Sequence, residues 1–268
     1  MSIESITILQ GCGKSGQTDN ISEVTFKMGD IVSIVGQTGS GKTTLINDIA
    51  LFANKNTPTK RKILINDSNP SGEYLNDPSK NPIAYITQHT NFLSDMPVDK
   101  FLKTHANIRK TASDSIIEET LDFANQLTGE PIILDSAMTE LSGGQTRALL
   151  IADAVIIGNS PIILLDEIEN AGIHRTKALQ LLRNYRKIFI FVTHDPRITL
   201  LSDFRIIMKN GAMDDLIVTE ESEKKAVEKI KKVDDLLLDL RKFIREGQRI
   251  NEKYIEEKLN SYSECEVC

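Results

Sequence analysis

Short apolar runs alternate with longer amphipathic stretches along most of the chain. ITIL (6–9), EVTF (23–26) and DIVSIVG (30–36) are rich in β-branched residues, and Met28-Gly29-Asp30 marks a turn between the last two. A helix is predicted to begin inside GSGKTTLINDIALF. Residues 54–82 are rich in Asn, Pro, Ser and Lys around KILIND (62–67), which predicts loops and a peripheral sheet. PIAYIT (82–87) reads as another buried strand. VDKFLKTHANIRK and SDSIIEETLDFANQL carry helical periodicity between about 98 and 130, and RALLIADAVIIG predicts a third helix. PIILLDE (161–167) stays apolar until its two acids, the pattern of a strand covered on both faces. KIFIFVTH (187–194) and RIIMKNG (205–211) complete the strands. The alternation predicts an α/β fold with a mostly parallel sheet.

From about Glu220 nearly every second residue is charged, with both signs mixed. Ala226, Ile230, Val233, Leu237, Leu240 and Ile244 recur at spacings of four and three, an a/d seam over three heptads, and Gly247 is expected to interrupt it. The stretch reads as an amphipathic helix folded back on the body, or as a coiled-coil contact with a partner or a second copy.

Composition narrows the choices only slightly. The net charge of −6 argues against a nucleic-acid surface. Three cysteines cannot all pair internally, which favours a reducing compartment over a disulfide scaffold. MSIESITILQ has neither a basic start nor a long apolar core, so no signal peptide is read there. The best apolar stretch, ALLIADAVIIG (148–158), contains Asp153 and is too short to span a bilayer.

GQTGSGKT (36–43) follows an apolar strand and opens a helical pattern, the context in which G-x-x-x-x-G-K-[ST] cradles phosphate. Gly36, Gly39 and Gly41 let the backbone of Gly36, Gln37, Thr38, Gly39, Ser40, Gly41, Lys42, Thr43 and Thr44 curl its N–H groups inward. Lys42 is assigned to the β- and γ-phosphates of ATP and Thr43 to Mg²⁺. Asp166 ends an apolar strand and suits the metal, while Glu167 suits the general base that polarises an attacking water.

ELSGGQTRALLIADA (140–154) contains LSGGQ, which resembles the signature of ATP-binding cassette (ABC) ATPases letter for letter. Gln88 after PIAYIT resembles that family's Q-loop glutamine, which senses Mg²⁺ and contacts the coupled partner. NFLSDMPVDKFL (91–102) resembles the segment that follows it. His194 in FVTHD resembles the switch histidine that touches the γ-phosphate, and SDFRIIMKNGAM (202–213) the strand and turn beyond it. The resemblance covers about residues 1–218. It implies a P-loop NTPase of ABC type: a mostly parallel core sheet, a peripheral antiparallel β subdomain and a helical subdomain at about 89–158, with 219–268 as a helical tail. It also implies a head-to-tail dimer, of like chains or with another cassette. There Leu141, Ser142, Gly143, Gly144 and Gln145 of one chain close over ATP held by the other. The motor would sit in the cytoplasm, free or peripheral at the inner face of a membrane, and drive separate membrane-spanning subunits. The alternative is a soluble ATPase that remodels a cytosolic protein, such as a metalloprotein.

Three departures from the family stand out. The stretch QGCGKSGQ (10–17) carries no aromatic where the family stacks adenine, and none occurs before Phe26, so weaker discrimination between ATP and GTP is expected. GCGKSG itself lacks the full cradle spacing and reads as a loop. Asp153 stands where the family usually has Arg. After Asp166-Glu167, the family's cross-dimer Asp is replaced by Ile173 without a gap or by His174 with one inserted residue. Either His174 makes a titratable dimer contact, or the loop has another shape. Cys265 and Cys268 form C-x-x-C, which reads as a soft-metal or redox pair or as a terminus with chance cysteines.

Overall fold

The computed structural model describes residues 2–87, 90, 92, 94–111, 113–167 and 175–263. It divides into two units, Met1–Val218 and Thr219–Cys268. The first runs β1 (Ser5–Leu9), β2 (Glu23–Lys27), β3 (Ile31–Val35), α1 (Lys42–Ala50), β4 (Lys62–Ile65), α2 (Gly72–Asn76) and β5 (Ile83–Ile86). It continues with α3 (Val98–Arg109), α4 (Asp114–Leu127), α5 (Gly143–Val155), β6 (Ile162–Asp166), α6 (Arg175–Arg183), β7 (Ile188–Val192), α7 (Pro196–Leu201), β8 (Phe204–Lys209) and β9 (Ala212–Val218). The strands form two sheets: an antiparallel β2-β1-β4, and a six-stranded β5-β6-β7-β3-β8-β9 that is parallel except for β9.

The apolar strands are explained by cover on both faces. Ile162 and Leu164 of β6, with Ile188, Ile190 and Val192 of β7, pack toward α1 and the antiparallel sheet. The alternate residues Ile163, Leu165, Phe189 and Phe191 pack toward the helices α3–α7. Period-two alternation therefore feeds two cores from one sheet, and no solvent-facing position is left to be polar.

Strand β9 is absent from the sequence expectation because Asp214-Asp215 interrupts its apolar pattern. The turn before it was the available signal. Asn210 (φ 52°) and Gly211 (φ 85°) both lie in the left-handed region, as a two-residue Asn-Gly hairpin requires.

Asp153 finds a partner inside the helical layer. Its carboxylate meets His105 Nδ1 of α3 at 2.6 Å, and Arg109 Nε donates to His105 Nε2 at 3.3 Å. A buried acid on an apolar helix face is thus hydrogen-bonded, as burial demands.

The second unit contains α8 (Glu221–Arg245) and α9 (Glu252–Ser263). The break falls at Gly247, in the left-handed conformation (φ 74°) that often follows a helix end. Phe243 stacks on Tyr254 with ring centroids 4.3 Å apart, and Lys258 reaches Asp239 at 3.4 Å. Val233, Leu237 and Ile244 of the heptad seam are exposed. No helix among the described residues is long and apolar enough to cross a membrane.

Candidate functional site

Register across the parallel sheet determines which residues meet. Ile34 of β3 pairs with Val192 of β7, and Val192 pairs with Asp166 of β6. These three residues form a row about 10 Å long, two interstrand spacings. The glycine-rich loop starts two residues beyond Ile34, His194 stands two beyond Val192, and Glu167 one beyond Asp166. The C-terminal edge of three adjacent strands therefore carries the cradle, both acids and the histidine, which is where open α/β sheets place ligands.

The loop ends at Gly41, whose φ of 96° suits glycine and whose added Cβ would lie 2.8 Å from Gly211 Cα. Helix α1 then begins at Lys42 with no side chain capping its N-terminus. Its first N–H groups face the loop with the positive end of the helix dipole. Lys42 is buried, and its ammonium donates to the carbonyls of Gly36 (2.9 Å) and Gln37 (3.1 Å). Ser40 Oγ is buried with no hydrogen-bond partner among the described residues, a group whose burial a phosphate oxygen would satisfy. A cavity of about 400 Å³ lies between Gly36–Ser40 and the β8–β9 hairpin, lined on the hairpin side by Ile207, Met208, Lys209, Asn210 and Asp214. Thr43 is exposed in the first turn of α1, and Thr44 is half-buried beside it.

Glu167 sits at φ 50°, uncommon for a residue with a side chain, while its N–H donates to Val192 O at 3.0 Å. Such a conformation costs on the order of 1–3 kcal/mol and recurs at functional sites. Here it turns the chain out of the sheet at the residue where a base is expected. Asp166 accepts from the Tyr85 hydroxyl at 3.5 Å. Burial, reinforced by the Asp166 charge, pushes the Tyr85 phenol up to about 12. His194 is exposed between β7 and α7.

The signature segment lies elsewhere in the fold, in the helical layer. Ser142 caps α5: its Oγ accepts from Gln145 N at 3.3 Å, and Gln145 Oε1 accepts from Ser142 N at 2.9 Å. Gln145 Nε2 also donates to Pro131 O at 3.0 Å. Gly143 and Gly144 open the helix, and Leu141 packs against the core. Gln88, Ile173, His174, Cys265 and Cys268 lie outside the described residues.

One component of the site was not anticipated. Arg61 is fully buried just before β4 and binds three segments that surround the cradle. Its guanidinium holds Asp19 bidentately (Nε 2.9 Å, Nη2 2.7 Å), reaches Asp48 of α1 at 3.2 Å, and donates to Gly211 O at 2.8 Å. Asp19 also accepts from the N–H groups of Gly11 and Met213. Burial alone would raise the Asp19 carboxyl. The Arg61 hydrogen bonds and the Met213 N–H outweigh it and hold the group below its ordinary value. The Gly211 N–H in turn donates to Ser40 O of the cradle at 2.9 Å. A Cβ on Gly211 would meet Lys14 N at 2.8 Å, so the 11–18 loop packs on the hairpin turn backbone to backbone. No local signal in the sequence marks this cluster: Asp19 lies among exposed residues, and only the fold brings it to Arg61 and Asp48.

Thr43 and Asp166 offer one hydroxyl and one carboxylate, hard oxygen donors that fit Mg²⁺ when phosphate oxygens and water complete its shell. Among the described residues there is no group of three or more His, Cys, Asp or Glu able to hold a metal.

Comparison with known proteins agrees with this architecture. The family model described as ABC transporter matches residues 19–170. An uncharacterised ABC transporter ATP-binding protein of Methanocaldococcus jannaschii is 48% identical over 255 residues, covering 95% of this chain and 98% of that protein. The macrolide export ATP-binding/permease protein MacB of Campylobacter jejuni is 30% identical over 83% of this chain, which spans only 34% of that protein. Among solved structures, cbiO1 of Clostridium perfringens, part of an ABC transporter complex, superposes with a TM-score of 0.62 at 20% identity, over 88% of this chain and 99% of that one, and so shares the fold. The chain belongs to the ABC transporter family, as an ATP-binding cassette and an ATPase.

Proposed function

We propose that this cassette is the nucleotide-binding subunit of a membrane transporter, working in the cytoplasm against separate membrane-spanning chains. It would act as a head-to-tail dimer with a second copy or another cassette. The carrying observation is the separation of its two phosphate-binding devices. The cradle, Glu167 and His194 share the edge of one sheet, whereas the signature caps α5 in the helical layer. A second cassette supplies the signature that completes each site.

In this reading the α1 N-terminus and the Gly36–Thr44 amides bind the phosphates of ATP, and Lys42 leaves its carbonyl partners to neutralise the β- and γ-phosphates. Thr43, Asp166 and Gln88 would hold Mg²⁺, which would supply positive charge to the phosphate oxygens. Glu167 takes a proton from the attacking water, and His194 donates to the γ-phosphate. Ser142 of the second cassette keeps its hydroxyl proton while capping α5, so it can donate that proton to the same phosphate. Hydrolysis releases the clamp, and the motion passes through the Gln88 loop to the α3–α5 layer. That relatives include a macrolide exporter and part of an ABC transporter complex supports transport over soluble remodelling.

Glu167→Gln tests the engine. Turnover is expected to fall at least about 100-fold, while ATP converts the monomer into a stable dimer in sedimentation. Retained hydrolysis would remove Glu167 as the base, and absence of the dimer would remove head-to-tail closure. The tagged chain purified from membranes should bring integral membrane proteins with it. Recovery with soluble proteins alone would overturn the transporter reading.

A further inference from the structure

The parallel sheet has a second end, and it is also concave. The segments that enter β3, β5, β6 and β7 meet there through Met28, Pro82, Pro161 and Lys187, around a cavity of about 640 Å³. This end is opposite the cradle, which follows the C-terminal end of β3. Four cationic side chains line the cavity, Lys80, Arg109, Arg186 and Lys187, and no Asp or Glu among the described residues does. The chain as a whole has 38 acidic and 32 basic residues, so a purely cationic lining runs against its composition.

Lys187 is only 6% exposed, and its ammonium donates to Asn159 Oδ1 at 2.6 Å. Burial pushes its amine down to about 8. Arg109 is bonded to neutral acceptors, the Ser79 carbonyl (2.6 Å) and the His105 ring (3.3 Å). Lys80 pairs with Glu73 at 3.1 Å, and the Asp77 carboxylate acts electrostatically on both Lys80 and Arg109. Lys187 is the buried cation of the four, a charge whose burial a counter-charge would offset, and among the described residues no carboxylate pairs with it or with Arg186.

We propose that this cavity is a second ligand site, taking a small molecule with two or more phosphate or carboxylate groups. Its volume lies in the range of small-molecule pockets. The Arg109 and Arg186 forks match the oxygens of either group, and Lys187 supplies a point charge at the floor. Ile3, Met28 and Tyr185 give the ligand's carbon skeleton an apolar wall. The site is built at the other end of the strands from the cradle.

The test is calorimetry on the full chain carrying Lys42→Ala, which silences the cradle, in buffer stripped of divalent metal by chelating resin and with pyrophosphate or citrate as probe. One-to-one binding of either probe is expected, weakened tenfold or more by Arg186→Glu and by Lys187→Met. Arg186 is exposed, so its replacement leaves folding intact. Affinity should fall as pH rises from 7 to 9 and Lys187 loses its proton, and Lys187→Met should remove that dependence. The other charged groups around the cavity are Lys80, Arg109 and Arg186 in the lining, with Glu73 beside Lys80 and Asp77 acting on Lys80 and Arg109; His105, bonded to Arg109, and Tyr74 and Tyr185 are the remaining titratable side chains. Both arginines stay charged over this range, and burial with the Glu119 charge holds the Tyr185 phenol up. Preference for pyrophosphate or for citrate identifies the ligand's anionic group. Failure of both probes to bind, or binding unchanged by Arg186→Glu, overturns the site.

Discussion

Replacing Arg61 by Met removes a charge and four donated hydrogen bonds but little volume. Asp19 and Asp48, at 1% and 3% exposure, would then face each other's neighbourhood without a cation. Breaking a buried ion pair from one side costs about 3–5 kcal/mol. Gly211 O would also lose a donor. A loss near 4 kcal/mol is a large fraction of the ~5–15 kcal/mol that holds a domain together, and it lowers the midpoint by roughly 8–16 °C for a unit of this size. Urea unfolding monitored by circular dichroism measures it. Asp48→Asn should cost less, about 1–2 kcal/mol, since the bidentate Asp19 contact survives. Acid should narrow the gap. The folded Asp19 carboxyl lies below its ordinary value, so its contribution is complete above about pH 4 and fades as pH falls through the depressed pKa. Steady-state kinetics below the midpoint should show KM for ATP rising more than kcat falls, because Arg61 braces α1 and the hairpin turn that contacts Ser40. An Arg61→Met chain within about 1 kcal/mol of the parent would refute the reasoning, since two uncompensated buried carboxylates cannot be that cheap.

Matched assays with ATP and GTP should give similar kcat/KM, because no aromatic ring among the described residues lines the cavity beside the cradle; a strong ATP preference would refute this. Lys42→Ala should abolish nucleotide binding in equilibrium titration, and wild-type affinity would dismiss Lys42 from the phosphate site. Glu167→Gly should match or exceed the parent's unfolding free energy, by up to about 1 kcal/mol, as the left-handed φ is relieved, while hydrolysis is lost. A destabilised Glu167→Gly chain would show that the conformation is not strained. His174→Asp, outside the described residues, should strengthen ATP-dependent dimerisation if one residue is inserted before the family's cross-dimer Asp; an unchanged dimer would show another loop alignment.

The readily legible parts of this protein were those in which local pattern and chemistry coincide. IVSIV followed by GQTGSGKT carries its own strand, turn and helix start. IILLDE names a two-faced strand because every position up to Asp166 is apolar. The signature announces its helix through a Ser-to-Gln capping box that needs only four consecutive residues. Strand β9 was missed for the opposite reason, its two acids hiding an edge strand whose outer side faces solvent. Arg61 could not be read at all, because a charge in TPTKRKIL looks like a solvated loop until Asp19 and Asp48 are brought to it across 42 and 13 residues. Asp153 looked like a defect in a helix that usually carries Arg, and only the neighbouring α3 supplies His105 as its partner.

The same distinction explains why the two ends of the sheet differ in legibility. At the C-terminal end, one loop of eight consecutive residues builds most of the phosphate site, so its chemistry is compressed into a motif. At the N-terminal end, the cations come from three separate places: Lys80 before β5, Arg109 at the end of α3, and Arg186 and Lys187 before β7. No spacing rule links them. What links them is the parallel topology, which brings the starts of consecutive strands together as surely as it does their ends. A parallel sheet with one functional edge thus has a second edge with the same geometric capacity to gather side chains. In this chain that second edge is cationic within an acidic protein, and Lys187 is buried there against its own solvation. A buried amine without a carboxylate is costly to retain unless something charged completes it, and the anion titrations measure that missing partner directly.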